Sequence, residues 1–339
     1  MKLYGGVDLH SNNGVFALKD ENGKRVFCKR LPNDLPCVLE ALKPYGKHIE
    51  AIAVESTYNW YWLVDGLKEA GFNVRLANPA AVDQYDGIKD VGDRTEATFL
   101  AELLRLGILP EGYIYPKEER YARNLLRRRM LLVRHRTAMI LSLQGTFSRQ
   151  TGRTYSWKAM SKLDAEAFPD LLGADELLLF TVGQQGDTVR FLDQKISQFE
   201  KKILESAKLK PEFERSLTLP GVGTILGLTI MYETGDIGRF ASAGNYTSYC
   251  RCACATRRSN DKKEGENNRR NGNAYLCWAY VEAVHHALRC CPPARSFYDR
   301  KKAKKNGAVA TKALASKWTK AAYHVLKGQT NFDVRRVFG

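Results

Sequence analysis

Residues 3–30 decide the first fold question: Leu3-Tyr4-Gly5-Gly6-Val7-Asp8-Leu9, then His10-Ser11-Asn12-Asn13-Gly14, then Val15-Phe16-Ala17-Leu18-Lys19, then Asp20-Glu21-Asn22-Gly23-Lys24, then Arg25-Val26-Phe27-Cys28-Lys29-Arg30. Three β-type runs (3–9, 15–19, 25–30) alternate with two turn signals, Asn12-Asn13-Gly14 and Asn22-Gly23. Glycine and asparagine there tolerate the left-handed backbone that tight hairpins need, so the spacing predicts three antiparallel strands. Working outward, a helical run over 35–42 leads to an apolar strand over 49–54. A second amphipathic helix over 60–70 leads to a strand over 73–77, and Pro79 opens a further helical region. The order β-β-β-α-β-α-β predicts a mixed sheet with helices packed on it. Residues 1–112 read as an α/β domain.

The periodicity changes after that. Residues 118–143 are helical in pattern, with Leu125, Leu132 and Met139 seven apart, and a polar stretch follows at 148–153. Val189, Leu192, Ile196, Phe199 and Ile203 recur at spacings of three and four, the seam of a short coiled coil. Residues 113–208 thus read as a helical, coiled-coil linker, its seam joining either two helices of one chain or two chains. Residues 209–339 read as a third, mostly helical domain, ending in a helix whose Leu314, Trp318, Ala321 and Val325 share one face. The fold class is α/β plus α.

Composition narrows the function classes. The 339 residues are 44% hydrophobic and 10% aromatic, which excludes a wholly disordered chain. No apolar run reaches the ~20 residues that span a bilayer, and Met1–Asp8 lacks the apolar stretch of a signal peptide. A cytoplasmic protein is expected. With 53 Lys and Arg against 37 Asp and Glu the net charge is +16, which points to a polyanionic partner. Seven arginines fall within residues 120–136, and Lys301, Lys302, Lys304 and Lys305 form a second cluster. Six of eight cysteines lie between Cys250 and Cys291. Cys250, Cys252 and Cys254 alternate as on a strand, which suits reduced thiols better than a zinc knuckle.

Four carboxylates carry the chemistry. Asp8 ends the first strand and Glu55 ends the strand Ile52-Ala53-Val54. Neighbouring strands would bring both out at one sheet edge. Asp93 and Glu96, three apart, share a face at the start of a helix running to Arg105. Hard oxygen donors from two strand ends and one helix suit one or two Mg²⁺ ions, which stabilise the attacking and leaving oxygens of a phosphodiester. This placement resembles the RuvC-like branch of the RNase H-like fold.

The polar segment 259–273 offers Ser259 among Lys262, Lys263, Arg269 and Arg270. A serine hydroxyl attacks a phosphodiester once a neighbouring group or metal lowers its pKa, and the basic residues suit phosphate oxygens. Leu219-Pro220-Gly221-Val222-Gly223 before an apolar helix resembles a helix-hairpin-helix turn, whose backbone N–H groups hold phosphate without reading sequence. Arg123, Arg127, Arg128 and Arg134 are expected to line a groove for a DNA or RNA backbone. Tyr58, Trp60, Tyr61 and Trp62, just after Glu55, suit either base stacking or core packing, the latter being commoner.

Over nearly its whole length the chain resembles the DEDD transposases of bacterial insertion sequences, described as bridge-RNA-guided serine recombinases. The resemblance rests on Gly6-Val7-Asp8, Val54-Glu55, Leu76-Ala77-Asn78-Pro79, Asp93 through Glu102, Leu219–Gly223, the 259–273 segment and Lys304-Lys305-Asn306-Gly307. It implies a RuvC-like domain over 1–112, a coiled-coil region over 113–208 and a transposase domain over 209–339. It further implies Asp8, Glu55, Asp93 and Glu96 as the acidic set and Ser259 as nucleophile. Glu96 stands where the family has Asp, with Asp90 as the alternative fourth acid, and Asn260 stands where Gly often follows the serine. Donor and target DNA, a structured guide RNA, Mg²⁺ and a homodimer or homotetramer are the implied partners. Two other readings stay open: a metal-dependent RuvC-like nuclease or junction resolvase, and a non-enzymatic nucleic-acid-binding scaffold.

Overall fold

The computed structural model describes residues 1–82, 93–161, 168–207, 209–253, 256–259, 262–266 and 271–339; for 93–95, 168, 256–259 and 262–266 it describes the backbone. By compactness the chain divides into two units. One comprises Met1–Lys117 with Thr256–Asn271, the other Glu118–Ala255 with Gly272–Gly339.

In the first unit, β1 (Leu3–Leu9), β2 (Asn13–Asp20) and β3 (Arg25–Pro32) form the expected antiparallel meander. Helix α1 (Leu35–Leu42) starts at Asp34, whose carboxylate accepts the Cys37 N–H, with Pro36 in the first turn. Next come β4 (Ile49–Glu55), α2 (Tyr61–Glu69), β5 (Val74–Ala77), the single turn α3 (Pro79–Val82), α4 (Asp93–Arg105) and a two-residue β6 (Glu111–Gly112). The sheet order is β3-β2-β1-β4-β5-β6. The β1–β4 and β4–β5 pairs are parallel, and the outer pairs antiparallel. This is the mixed α/β sheet that the strand pattern predicts. Leu3, Val7, Phe16, Leu18, Ile52 and Val54 share a core with Val38 and Leu42 of α1 and Leu63, Val64 and Leu67 of α2. The opposite face is covered by α4, through Ala97 on Val15 and Ala17 and Leu100 on Ala53 and Ala77.

The second unit opens with α5 (Lys117–Thr151), eight residues longer at its C-terminal end than the 118–143 pattern suggests. Short α6 (Trp157–Met160) and α7 (Phe168–Leu172) precede the 31-residue α8 (Glu176–Ser206). Gln185 donates to Ser142, Arg136 to Asp193 and Arg129 to Glu200, a register running in opposite directions, so α5 and α8 pair antiparallel. The seam positions Val189, Leu192, Ile196 and Ile203 are buried. Then follow α9 (Pro211–Leu217), α10 (Thr224–Thr234) and α11 (Ala243–Tyr249). The hairpin β7 (Thr256–Ser259) and β8 (Lys262–Glu266) belongs to the first unit, and the chain returns through α12 (Ala274–Cys290), α13 (Pro292–Lys304), α14 (Gly307–Lys327) and α15 (Val334–Phe338). Leu226, Ile230, Leu276, Tyr280, Val284, Leu314, Trp318 and Val325 form one core, and the Trp318 indole donates to the Pro220 carbonyl. All four predicted face residues of the last long helix are buried.

Two local expectations are corrected. Cys250 and Cys252 lie in a turn after α11, where Arg251 takes φ 54°, and not on a strand; Cys254 lies outside the described residues. The polar segment 259–273, whose composition reads as a loop, is strand in part: Ser259 ends one strand and Lys262–Glu266 form the next, which pairs with Thr256–Ser259.

Candidate active site

Asp8 and Glu55 reach one edge because of register. Gly6 lies level with Ala53 and Val7 with Val54 in the parallel β1–β4 pair, so the next residues, Asp8 and Glu55, stand side by side. Strand side chains alternate, so Asp8 shares its face with Gly6, and Glu55 with Ala53. That face is the one under α4. A Cβ on Gly6 would stand 2.0 Å from the Ala97 carbonyl oxygen and 2.5 Å from the Ala101 nitrogen. Only glycine lets the helix backbone rest on the strand there.

The direction of α4 follows from its ion pairs. Lys19, opposite Tyr4 at the start of β1, donates to Glu102 at 2.6 Å, and Arg105 donates to Glu102 and to the Glu21 carbonyl. The end of α4 is thereby pinned over the start of β1. From Glu102 back to Asp93 is about 14 Å of helix, and from Tyr4 to Asp8 about 13 Å of strand. Asp93 and Glu96 therefore begin the helix at the Asp8 end of the sheet. The Arg105 hydrogen bond, opposed by burial and aided by Lys19, lowers the Glu102 carboxyl from 4.5 to about 2.

Asp8 is 2% exposed and Glu55 and Glu96 partly buried. The imidazole Nε2 of His10 lies 3.3 Å from an Asp8 oxygen. The His10 carbonyl accepts from Asn33 and Asn59, both at 3.0 Å, and Thr57 donates to Asn59. These bonds tie the segment after β1 to the segment after β4, holding the two acid-bearing strand ends together. The sequence reading missed His10 and Asn59; the adjacency of His10 to Asp8 in Gly6-Val7-Asp8-Leu9-His10 is the signal that points to the first. Of the aromatic cluster, Trp60 is buried and Tyr61 and Trp62 pack on the core beside it, whereas Tyr58 is 83% exposed.

Ser259 takes the last position of β7, paired with Lys262 of β8, and Lys263 pairs with Arg258. This hairpin is grouped with the acid-bearing sheet in one compact unit. Asp90, Arg269 and Arg270 lie outside the described residues. Among the described residues no cluster of three or more potential metal ligands occurs; the Asp93 side chain is not one of those described. An all-oxygen donor set with a buried aspartate beside a glutamate has the chemistry a hard divalent cation requires.

The nucleic-acid residues divide. Arg123 and Arg127 do not line an open groove: both donate to Glu233 of α10, at 2.9 and 2.5 Å, and Arg123 is buried. Asn273 adds a third bond to Glu233, at 2.7 Å, and the Arg127 guanidinium lies 4.2 Å over the Tyr275 ring. Burial pushes the Glu233 carboxyl up, but the Arg127 hydrogen bond and the two arginine charges outweigh it and hold it below its ordinary value. A buried carboxylate demands such partners, which explains where the arginines go. Arg128 and Arg134 are exposed, as a backbone-contacting role requires. Gly221 has φ 83°, and a Cβ there would stand 2.1 Å from the Ala283 carbonyl oxygen, so it serves the packing of α12. Gly223 instead begins α10 with open space around it.

Two family models match the chain. A transposase model of the DEDD type found in IS110 elements covers residues 5–149, and the model described as Transposase IS116/IS110/IS902 family covers 214–299. The chain is 23% identical over 296 residues to a Pseudomonas aeruginosa protein named "Probable family 20 transposase", covering 84% of this chain and 80% of the other. It is 24% identical over 296 residues to the Coxiella burnetii "Transposase for insertion sequence element IS1111A", covering 84% and 77%. A Streptomyces coelicolor "Insertion element IS110 uncharacterized 43.6 kDa protein" is 28% identical over 138 residues, 40% of this chain and 33% of the other. Among the described residues no helix is long and apolar enough to cross a membrane. Set in this order along one chain, the acid-bearing sheet and the helical region with its Pro220–Gly223 turn match the two transposase domains of the IS110/IS116/IS902 family.

Proposed function

We propose that this transposase cuts and rejoins DNA through a covalent phosphoserine on Ser259. The Ser259 oxygen attacks the scissile phosphorus; a P–O bond forms to serine as the P–O bond to one deoxyribose oxygen breaks. The serine proton is lost and the departing strand gains one as it leaves as a hydroxyl. Rejoining reverses the exchange with a different strand end, so no external energy source is needed. The observation that carries this reading is the grouping of the Ser259 hairpin with the sheet that bears Asp8 and Glu55 in one unit.

Asp8, Glu55, Asp93 and Glu96 would hold Mg²⁺, which when bound supplies Lewis-acid polarisation of the phosphoryl group. Asp8, buried and braced by its neighbours, orients the set, and Lys262 and Lys263, close to Ser259 in the chain, supply positive charge for the phosphate. The three-part division at 112 and 208, a structured guide RNA, and a dimer or tetramer that keeps broken ends together complete the proposal. End-labelled DNA on a denaturing gel tests it. A protein–DNA adduct that protease collapses and Ser259→Ala abolishes supports the reading. Cleavage that persists unchanged in Ser259→Ala assigns the chemistry to a metal-only nuclease instead.

A further inference from the structure

Between Asp299 and Asp333 the chain has nine lysines and arginines and no carboxylate. The fold turns this run into a surface. Helix α13 ends in Lys301, Lys302 and Lys304, Lys305 follows in the turn, and all four are exposed. Helix α14 begins two residues later, capped by Asn306, which accepts the Val309 N–H at 2.9 Å. Its Leu314, Trp318 and Val325 face the core, while Lys312 and Lys320 are exposed with Ser316 between them at four-residue steps. Those steps keep one helix face and set Lys312 and Lys320 about 12 Å apart. Lys317 and Lys327 are engaged elsewhere, on the Val337 and Phe240 carbonyls.

We infer that the α13–α14 corner and the outer face of α14 form a binding surface for the phosphate backbone of duplex DNA, read without regard to sequence. Six exposed lysines with no carboxylate among them match a line of phosphates in sign, and the start of a 21-residue helix adds positive potential at the same corner. A single strand is a poorer match, because it is held by aromatic stacking and the large apolar residue exposed on this face is Val309. The inference goes beyond the serine chemistry and does not need it to be right.

The test is fluorescence anisotropy of a ~30-bp duplex of arbitrary sequence against salt, in chelator so that no strand is cut. Lys312→Gln with Lys320→Gln removes two phosphate contacts. The slope of log affinity on log salt should flatten by about 1.8, and affinity near 0.1 M salt should fall roughly tenfold or more. Lys47→Gln with Lys201→Gln removes the same charge at exposed positions elsewhere and should leave the slope in place. An unchanged slope in the ridge variant, or equal flattening in the control, overturns the inference. So does flattening seen with a duplex RNA of equal length and not with DNA.

Discussion

Replacing Gly6 with alanine tests whether helix α4 delivers the acids. The added methyl carbon would stand 2.0 Å from the Ala97 carbonyl oxygen, and ordinary contact begins near 3.4 Å. The obstacle is helix backbone, which cannot swing aside, so α4 must lift by about 1.4 Å or tilt by an equivalent amount. Overpacking of this kind costs about 1–3 kcal/mol, or roughly 2–12 °C in Tm. The catalytic cost is larger in proportion, because Asp93 and Glu96 ride on the displaced helix and a misplacement of ~1 Å at reacting groups costs about 100-fold. Gly5→Ala is the matched control. Its methyl points to the opposite face and meets the Ile52 side chain at 3.1 Å, a contact that a shift of a few tenths of an ångström relieves. Single-turnover DNA cleavage and thermal melting should therefore give a folded Gly6→Ala protein about 100-fold slower and a Gly5→Ala protein near normal in rate. A Gly6→Ala protein that melts lower and cleaves at full rate would refute the argument, as would equal rate losses in both.

Glu233→Gln leaves Arg123 and Arg127 without their counter-charge and should destabilise the second unit by about 3–5 kcal/mol in chemical denaturation. Asn273→Ser retains an oxygen to cap α12 at the Tyr275 and Leu276 N–H groups but drops the bond to Glu233, so a smaller loss of about 1.5–3 kcal/mol is expected. Glu102 has its folded pKa lowered to about 2, so its stabilisation is complete above pH 4.5 and disappears as pH falls towards 2. A Glu102→Gln variant should accordingly be about 1–3 kcal/mol less stable at pH 7 and converge on the parent stability across that acid window. Gly221→Ala combines a positive φ with a backbone collision at Ala283 and should cost at least about 3 kcal/mol, whereas Gly223→Ala, facing open space, should stay within about 1 kcal/mol.

The α/β half was legible because its signals are local. Gly23, at φ 81°, turns the second hairpin by its own conformational freedom, Asn12 marks the first just before β2 begins, and the apolar runs in residues 3–9 and 49–54 mark strands buried on both faces. Placing Asp8 beside Glu55 needed only strand adjacency. The fates of Arg123 and Arg127 were not legible, because Glu233 lies more than a hundred residues away and a helix's exposed arginine stripe looks the same in sequence whether a buried carboxylate faces it or not. Gly221 and Gly223 likewise read as one motif, yet the first is shaped by a close approach of α12 and the second by the start of α10. The paired strands 256–259 and 262–266 escaped notice since their charged, glycine-bearing sequence has no apolar alternation.

Convergence of the acids and the serine on one cation can be read by replacing Mg²⁺ with Fe²⁺ and adding ascorbate and peroxide, which generates hydroxyl radicals at the bound metal and cleaves the nearby backbone. Mass spectrometry should find cuts near Asp8, Glu55, Asp93 and Ser259, all four lost together in Asp8→Asn. Cuts at the three acidic segments with none at Ser259, or cuts at Ser259 that survive Asp8→Asn, would contradict the shared centre.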